Sequence, residues 1–251
     1  MRPMHGDLHI VLAPEVVGHI GSFPITNTLV TAWVVMFLLV GAAFLATRRL
    51  ALVPAGKGQV LVETMVGGII GYMEETLGDR KLALRFFPLI ATLFLFILFA
   101  NLLGLFPGIG SIGVIHEGHE LVPLFHPVST DLNATLALAV IAFFAIEIAG
   151  IAALGVLKYG GKFVNLSSPL NFFIGIIELF SELARLISFS FRLFGNMFAG
   201  KVLILVSIAF VPVLLPIPLM LFEALAGFIQ AAIFALLTLF FIKIAVAEME
   251  H

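Results

Sequence analysis

Hydrophobic residues along this chain come in uncharged blocks separated by short polar clusters. Residues 28–47 carry no charged side chain, and about 20 residues make about 30 Å of helix, the thickness of a bilayer's hydrocarbon core. Arg48 and Arg49 close that block. Residues 86–106 form a second uncharged block that ends at Pro107 and Gly108, and residues 132–157 a third, interrupted only by Glu147. Residues 56–78 follow a different pattern. There Val62, Met65, Val66, Ile69, Ile70 and Met73 recur at helical spacing, with Glu63, Glu74 and Glu75 among the polar positions, which predicts an amphipathic helix lying on the membrane. Residues 1–27 carry Pro3, Pro14, Gly18, Gly21 and Pro24 and lack the basic start and apolar centre of a cleavable signal. They predict a short exposed arm ahead of a single polytopic membrane domain over residues 28–251.

The last third departs from ordinary spans. Ser168 and Pro169 read as an N-cap and an N1 proline, and nothing stronger than glycine interrupts the helix before Pro212. A helix over residues 168–210 is about 60 Å long, twice a bilayer. Pro212, Pro216 and Pro218 then turn the chain, and residues 219–247 form a second apolar helix of about 44 Å. Such lengths require tilts beyond those of spans packed only by lipid, so the hairpin is expected to lean around a separate, curved membrane object. The fold class is therefore an all-α integral membrane protein: about five crossing helices, one amphipathic surface helix, and a long, steeply tilted hairpin formed by the last two helices.

Composition agrees with lipid as the main solvent. The chain is 61% apolar with 26 Phe, and 11% charged, against roughly 25% in a soluble domain. So few charges cannot cover a globular surface of this size. A net charge of -2 offers no basic stripe for phosphates, so no nucleic-acid partner is expected. With no Cys there is no disulfide, thiolate metal site or cysteine nucleophile. The cluster His116, Glu117, His119 and Glu120 lacks metalloprotease spacing and reads as a solvated loop; no metal or cofactor is expected. Arg48, Arg49, Lys57, Arg80, Lys81, Arg85, Lys158 and Lys162 all fall in connections of one parity. Positive-inside bookkeeping then puts the N-terminus outside and the C-terminus, with Glu248 and Glu250, in the cytoplasm.

The hairpin carries charges that lipid does not tolerate without a reason. Its first helix holds Glu178, Glu182, Arg185, Arg192 and Lys201, its second Glu223, Gln230 and Lys243. Each charge at bilayer depth costs about 3 kcal/mol on insertion scales. Arg185, Ser188, Arg192, Gly195, Asn196 and Ala199 share one helical stripe of otherwise small residues, which lets another helix approach closely. Glu223, Gly227, Gln230, Phe234 and Thr238 form a comparable stripe, so that Gln230 is expected to face Arg192 across the hairpin. Arginine stays protonated at any accessible pH and cannot relay a proton, whereas carboxylates can, and a fixed positive charge nearby holds an acid ionised.

The stretch from Ile187 to Gly200, with Arg192, Leu193, Phe194, Gly195, Asn196, Met197 and Ala199 in sequence, resembles the signature of subunit a of the F-type ATP synthase, the membrane stator beside the rotating c-ring. Asn101-Leu102-Leu103-Gly104, Asp131-Leu132-Asn133-Ala134-Thr135 and Gln230-Ala231-Ala232-Ile233-Phe234 look like the family's other recurring segments, in order. The resemblance implies that Arg192 is the family's essential arginine, which faces each c-ring carboxylate as it rotates past, with Gln230 as its neighbour. It places Asn196, Lys201 and Glu223 on the outside-facing proton inlet, Asp131 and Asn133 at its mouth, and Glu178 along or at the far end of the route. Two positions depart from the family: that of Lys201 is often acidic or His, and that of Glu223 often His. A Lys201–Glu223 ion pair would follow.

The implied protein is a subunit without catalysis of its own, translocating protons to drive ATP synthesis. Its implied partners are the c-ring, the peripheral stalk b subunits, the rest of the F1Fo complex and the lipid bilayer, in a bacterial inner membrane. A sodium-translocating version and a stand-alone secondary transporter are the alternatives; the latter predicts inverted repeats, which the sequence does not display. Structural readings stand beside the functional ones. Lys201 and Glu223 can serve only to neutralise one another, and Asp131 can be a helix cap favoured by the dipole. Glu147 has no evident partner.

Overall fold

The computed structural model describes residues 14–48, 56–106, 112–115, 121–163, 168–212 and 214–247. Residues 1–13 of the arm, Arg49, Pro107, Gly108, the His116 to Glu120 cluster, Glu248 and Glu250 lie outside the described residues. In chain order come β1 (Val16–Ile20), β2 (Phe23–Thr26), α1 (Asn27–Thr47), α2 (Lys57–Leu77), α3 (Arg80–Leu105), β3 (Gly113–Ile115), β4 (Leu121–Pro123), a 3-10 turn (Val128–Thr130), α4 (Leu132–Leu154), α5 (Val156–Gly160), α6 (Pro169–Phe210) and α7 (Pro216–Ala247). Five of these, α1, α3, α4, α6 and α7, are long and apolar enough to cross a membrane. The all-α membrane architecture expected from the hydropathy pattern is the one observed.

The ends of the elements follow local chemistry. Thr26, Asp79, Asp131 and Ser168 cap α1, α3, α4 and α6, each side-chain oxygen accepting a backbone N–H of the first turn. Because Asp79 caps α3, that helix starts at Arg80, well before the uncharged block at 86, and takes the basic residues into its first turns. α7 starts at Pro216, ahead of the expected 219. Its first-turn N–H groups have no intrahelical acceptor, so Pro216 and Pro218 cost it nothing there. Gly155, at φ 82, ends α4 and redirects the chain into the short α5, where one block to residue 157 was expected. The described part of the arm is a β1–β2 hairpin, and β3 pairs with β4 in the loop before α4.

α3 and α7 pack together at the centre, with α4 and α6 against α7 and against each other, and α1 against α3. One buried cluster joins Met73 of α2, Ala83 and Ile90 of α3, Ile146 of α4 and Leu239 and Ile242 of α7. A second, at mid-height, joins Leu93, Ile97, Leu138, Ala142, Phe189, Leu193, Ala231 and Phe234. Only the C-terminal part of α2 is packed, where Met73 and Thr76 are buried. Outward faces are apolar: Phe37 is 77% exposed, Phe210 78% and Leu221 75%. In water such a surface would aggregate; against lipid tails it is solvated. α6, with 42 residues, is about 63 Å long, and its length still demands the tilt expected from sequence.

α5 is fastened under α4 by one aromatic ring. Tyr159 packs onto Gly150, where any Cβ would overlap the ring, and its hydroxyl donates to Glu147 Oε2 at 3.0 Å. Burial, above all, lifts the Tyr159 phenol to about 12. The folded state therefore holds this proton more tightly than the unfolded chain, and its contribution to stability is intact below about pH 10 and lost as pH rises toward the folded value. The detergent-solubilised protein should lose thermal stability between those limits, and Tyr159→Phe should remove that loss. Gly150→Val should destabilise at all pH by about 1–3 kcal/mol through overpacking, read as a lowered Tm.

Candidate functional site

At the end of the molecule that carries both β-hairpins, polar side chains from five segments converge. Asn27 ties the hairpins together, its carboxamide oxygen accepting from Glu15 N at 3.2 Å and its nitrogen donating to the Pro123 carbonyl at 3.3 Å. Asp131, the α4 cap, accepts from Asn133 N and from the Thr28 hydroxyl, both at 2.9 Å. His126 is buried between them. Its amide donates to Thr31 Oγ1 at 3.0 Å, its Nδ1 lies 2.9 Å from Thr130 Oγ1, and its Nε2 meets Lys201 Nζ. Thr135 and Ser190 link α4 to α6 through their hydroxyls at 3.1 Å.

Glu223 completes this end from α7. It is buried, and its carboxylate lies against Gly200 so closely that a Cβ there would overlap it. Asn101 of α3 lies over Gly227, one turn further along α7, and Gln230 follows after another. Glu223 Oε1, both polar atoms of the Asn101 amide and Gln230 Nε2 are buried with no hydrogen-bond partner among the described residues. Buried polar groups are otherwise almost always bonded, so this file along α7 suits ordered water.

A second polar cluster sits at the opposite end. Lys162, in the connection between α5 and α6, lies 3.2 Å from Glu182 and 3.4 Å from Glu178, and donates to the Tyr159 hydroxyl at 3.5 Å. Arg185 reaches Glu182 at 2.7 Å and stacks over the Phe241 ring at 4.0 Å. Through Tyr159 the cluster extends to Glu147.

Between the two clusters the inward face of α6 is apolar apart from Ser190: Phe189, Leu193 and Met197 are buried. Arg192 points the other way. It is exposed along with Ser188, Gly195 and Ala199, donates to Ser188 Oγ at 3.2 Å, and has no carboxylate within ion-pair distance among the described residues. Along the helix it stands about 10 Å from Arg185 and about 13 Å from Lys201.

Of the expected site residues, the fold brings Asp131, Lys201 and Glu223 to one end, with Asn196 half-buried above Arg192 and Gln230 inside; the Asn133 residue is exposed. Glu178 belongs to the other end. Two expected contacts are corrected. Gln230 and Arg192 do not hydrogen-bond: Arg192 is exposed and donates to Ser188, while Gln230 is buried with its Nε2 unpartnered among the described residues. Lys201 and Glu223 form no ion pair among the described residues, since the Lys201 side chain is drawn to His126. Arg185 also leaves the exposed stripe, pulled inward by Glu182. Glu147 finds its partner in Tyr159. His126 and Asn101 are buried polar residues of this end to which the sequence pattern assigns no role. The one local signal was the polar run of Ser129, Thr130 and Asp131 just after His126 and Pro127, unusual before a buried helix start.

The sequence pattern of the ATP synthase A chain family matches residues 29–243. ATP synthase subunit a of Moorella thermoacetica is 38% identical over 229 residues, covering 91% of this chain and 94% of that protein. ATP synthase subunit a 2 of Syntrophotalea carbinolica is 38% identical over 242 residues, 96% of this chain and 93% of its own length. ATP synthase subunit a of Geotalea daltonii is 39% identical over 219 residues, 86% of each. With the signature and nearly the whole of the five apolar helices inside the matched region, the chain belongs to the ATP synthase A chain family, an integral membrane component of ATP synthesis and ion transport.

Proposed function

We propose that this protein is the proton-translocating stator subunit of an F-type ATP synthase, in a bacterial inner membrane, with the hairpin end outside and the Lys162 end facing the cytoplasm. One observation carries the reading. Arg192 lies mid-way along a 42-residue helix, on an exposed stripe of small residues, with no carboxylate partner in its own described chain. A guanidinium left in lipid at that depth is costly. A carboxylate on an adjacent subunit, the c-ring, relieves the cost and uses the close approach that Ser188, Gly195 and Ala199 permit.

In this mechanism the hairpin-end cluster is the inlet. Asp131 and Asn133 stand at its mouth, Lys201, Glu223 and Asn196 line it, and Gln230 lies at its inner limit. A proton entering here neutralises a c-ring carboxylate, which then rotates through lipid. On return, Arg192 favours the ionised form, and the proton leaves past Glu178. The buried Phe189, Leu193 and Met197 keep the two half-paths from joining. Each charge moved through 100 mV gains about 2.3 kcal/mol, adequate to turn a rotor whose rotation drives ATP chemistry in the rest of the F1Fo complex, with the peripheral stalk b subunits holding the stator.

ATP-driven proton pumping and ATP hydrolysis in inverted vesicles test this directly. With Arg192→Ala at wild-type subunit levels, pumping should fall to background in an assembled complex; pumping at wild-type coupling would sink the assignment. Glu223→Gln should keep assembly and slow pumping by about a hundredfold, as expected for loss of a proton-transfer group. Adding Na+ at constant ionic strength should leave the wild-type rate unchanged.

A further inference from the structure

We infer that His126 is a proton-holding residue of the inlet, its Nε2 paired by a hydrogen bond with Lys201 Nζ. This rests on the proton-path reading above and adds a residue to it. His126 sits in the connection between β4 and the 3-10 turn, only 3% exposed, in a position fixed by its amide bond to Thr31. The hydrogen-bond directions follow from counting protons. Thr130 spends its one hydroxyl proton on the Pro127 carbonyl at 2.7 Å, so its oxygen accepts from the Nδ1–H of His126. Nε2 is then the basic nitrogen, and it faces Lys201 Nζ. The residue after Ala199, Gly200, carries the Glu223 carboxylate against its backbone, so the acid lies beside the lysine's own turn.

A lysine alone holds its proton up to about pH 10, too tightly to exchange it near neutrality, whereas an imidazole exchanges near about pH 6.5. Placed in contact, the two titrate as one unit. In one transfer a Lys201 Nζ–H bond breaks as its proton passes to an intervening water, and that water gives up a proton to form a Glu223 O–H bond, leaving an amine beside a neutral imidazole. A proton from water at this end then adds to the pair and restores its charge. Among the described residues, the other groups around it are Glu15 ahead of β1, which acts electrostatically on Lys201, Asp131 at the start of α4 and Glu223 on α7. α1 contributes the hydroxyls of Thr28 and Thr31, and α3 the uncharged Asn101.

The test is passive proton conduction through vesicles stripped of F1, from about pH 5 to about pH 8. His126→Gln keeps an acceptor for Lys201 and a donor for Thr130 but cannot titrate. It should lower conduction by about tenfold or more and abolish the pH-dependent step. Adding Lys201→His to it, which returns an imidazole from α6, should restore the step. A His126→Gln profile identical to wild type in rate and pH dependence would overturn the inference. Should His126→Gln fail to assemble, Lys201→Gln answers the question in its place: the midpoint should move toward that of an isolated imidazole, and an unmoved midpoint would overturn it equally. Wild-type vesicles that conduct no protons would remove the proton-path reading and this one together. Pumping present in wild type, lost in Arg192→Ala and untouched in His126→Gln would remove only this one.

Discussion

A charge at bilayer depth must meet a partner, and the architecture is arranged around that requirement. α6 alone carries Glu178, Glu182, Arg185, Arg192 and Lys201. Lys162 swings in from the preceding connection to meet both acids, Arg185 turns onto Glu182, and Lys201 crosses to His126. The Lys162 and Lys201 contacts tie a connection and a loop to the long helix, so neutralisation also determines how the chain between the spans is folded. Among the described residues of this helix Arg192 is the exception, and under the proposed function it is there that a second protein docks. The same rule that organises the interior of one subunit thus defines its surface toward another.

Close approach is the second condition, because lipid tails offer no hydrophobic drive for helices to associate and packing must supply it. Missing Cβ atoms sit where a side chain has to arrive: at Gly150 for the Tyr159 ring, and at Gly200 for the Glu223 carboxylate. Gly227 lies in ordinary contact with the Asn101 side chain. The two polar clusters are therefore as much a product of glycine placement as of the charged residues themselves. Between them, the mid-height cluster around Phe189, Leu193 and Phe234 separates the ends, with only the Thr135–Ser190 hydroxyl pair crossing near that level.

Much of this was legible from residue order alone. Span number, the amphipathic α2, the Ser168 cap and the long hairpin follow from periodicity and length, because in lipid every backbone group must be satisfied within its own helix and hydropathy reports that directly. Element starts were less legible: capping by Asp79 and the tolerance of a first turn for Pro216 and Pro218 moved boundaries that charge and proline suggested. Arg192 and the family signature could be read without any structure, since local sequence carries them whole.

What only the tertiary structure decided is which charge meets which. Sequence spacing puts Arg185 and Arg192 on one stripe and Gln230 opposite, yet long side chains reach several ångströms to either side of their helix, and the nearest acid captures Arg185. His126 and Lys201, 75 positions apart, and Thr28 and Asp131, 103 apart, meet because the hairpin end folds back over α6. Helical periodicity reports the neighbours along one helix; it contains nothing about the loop that closes over it, and the buried polar groups at this end are divided between the two.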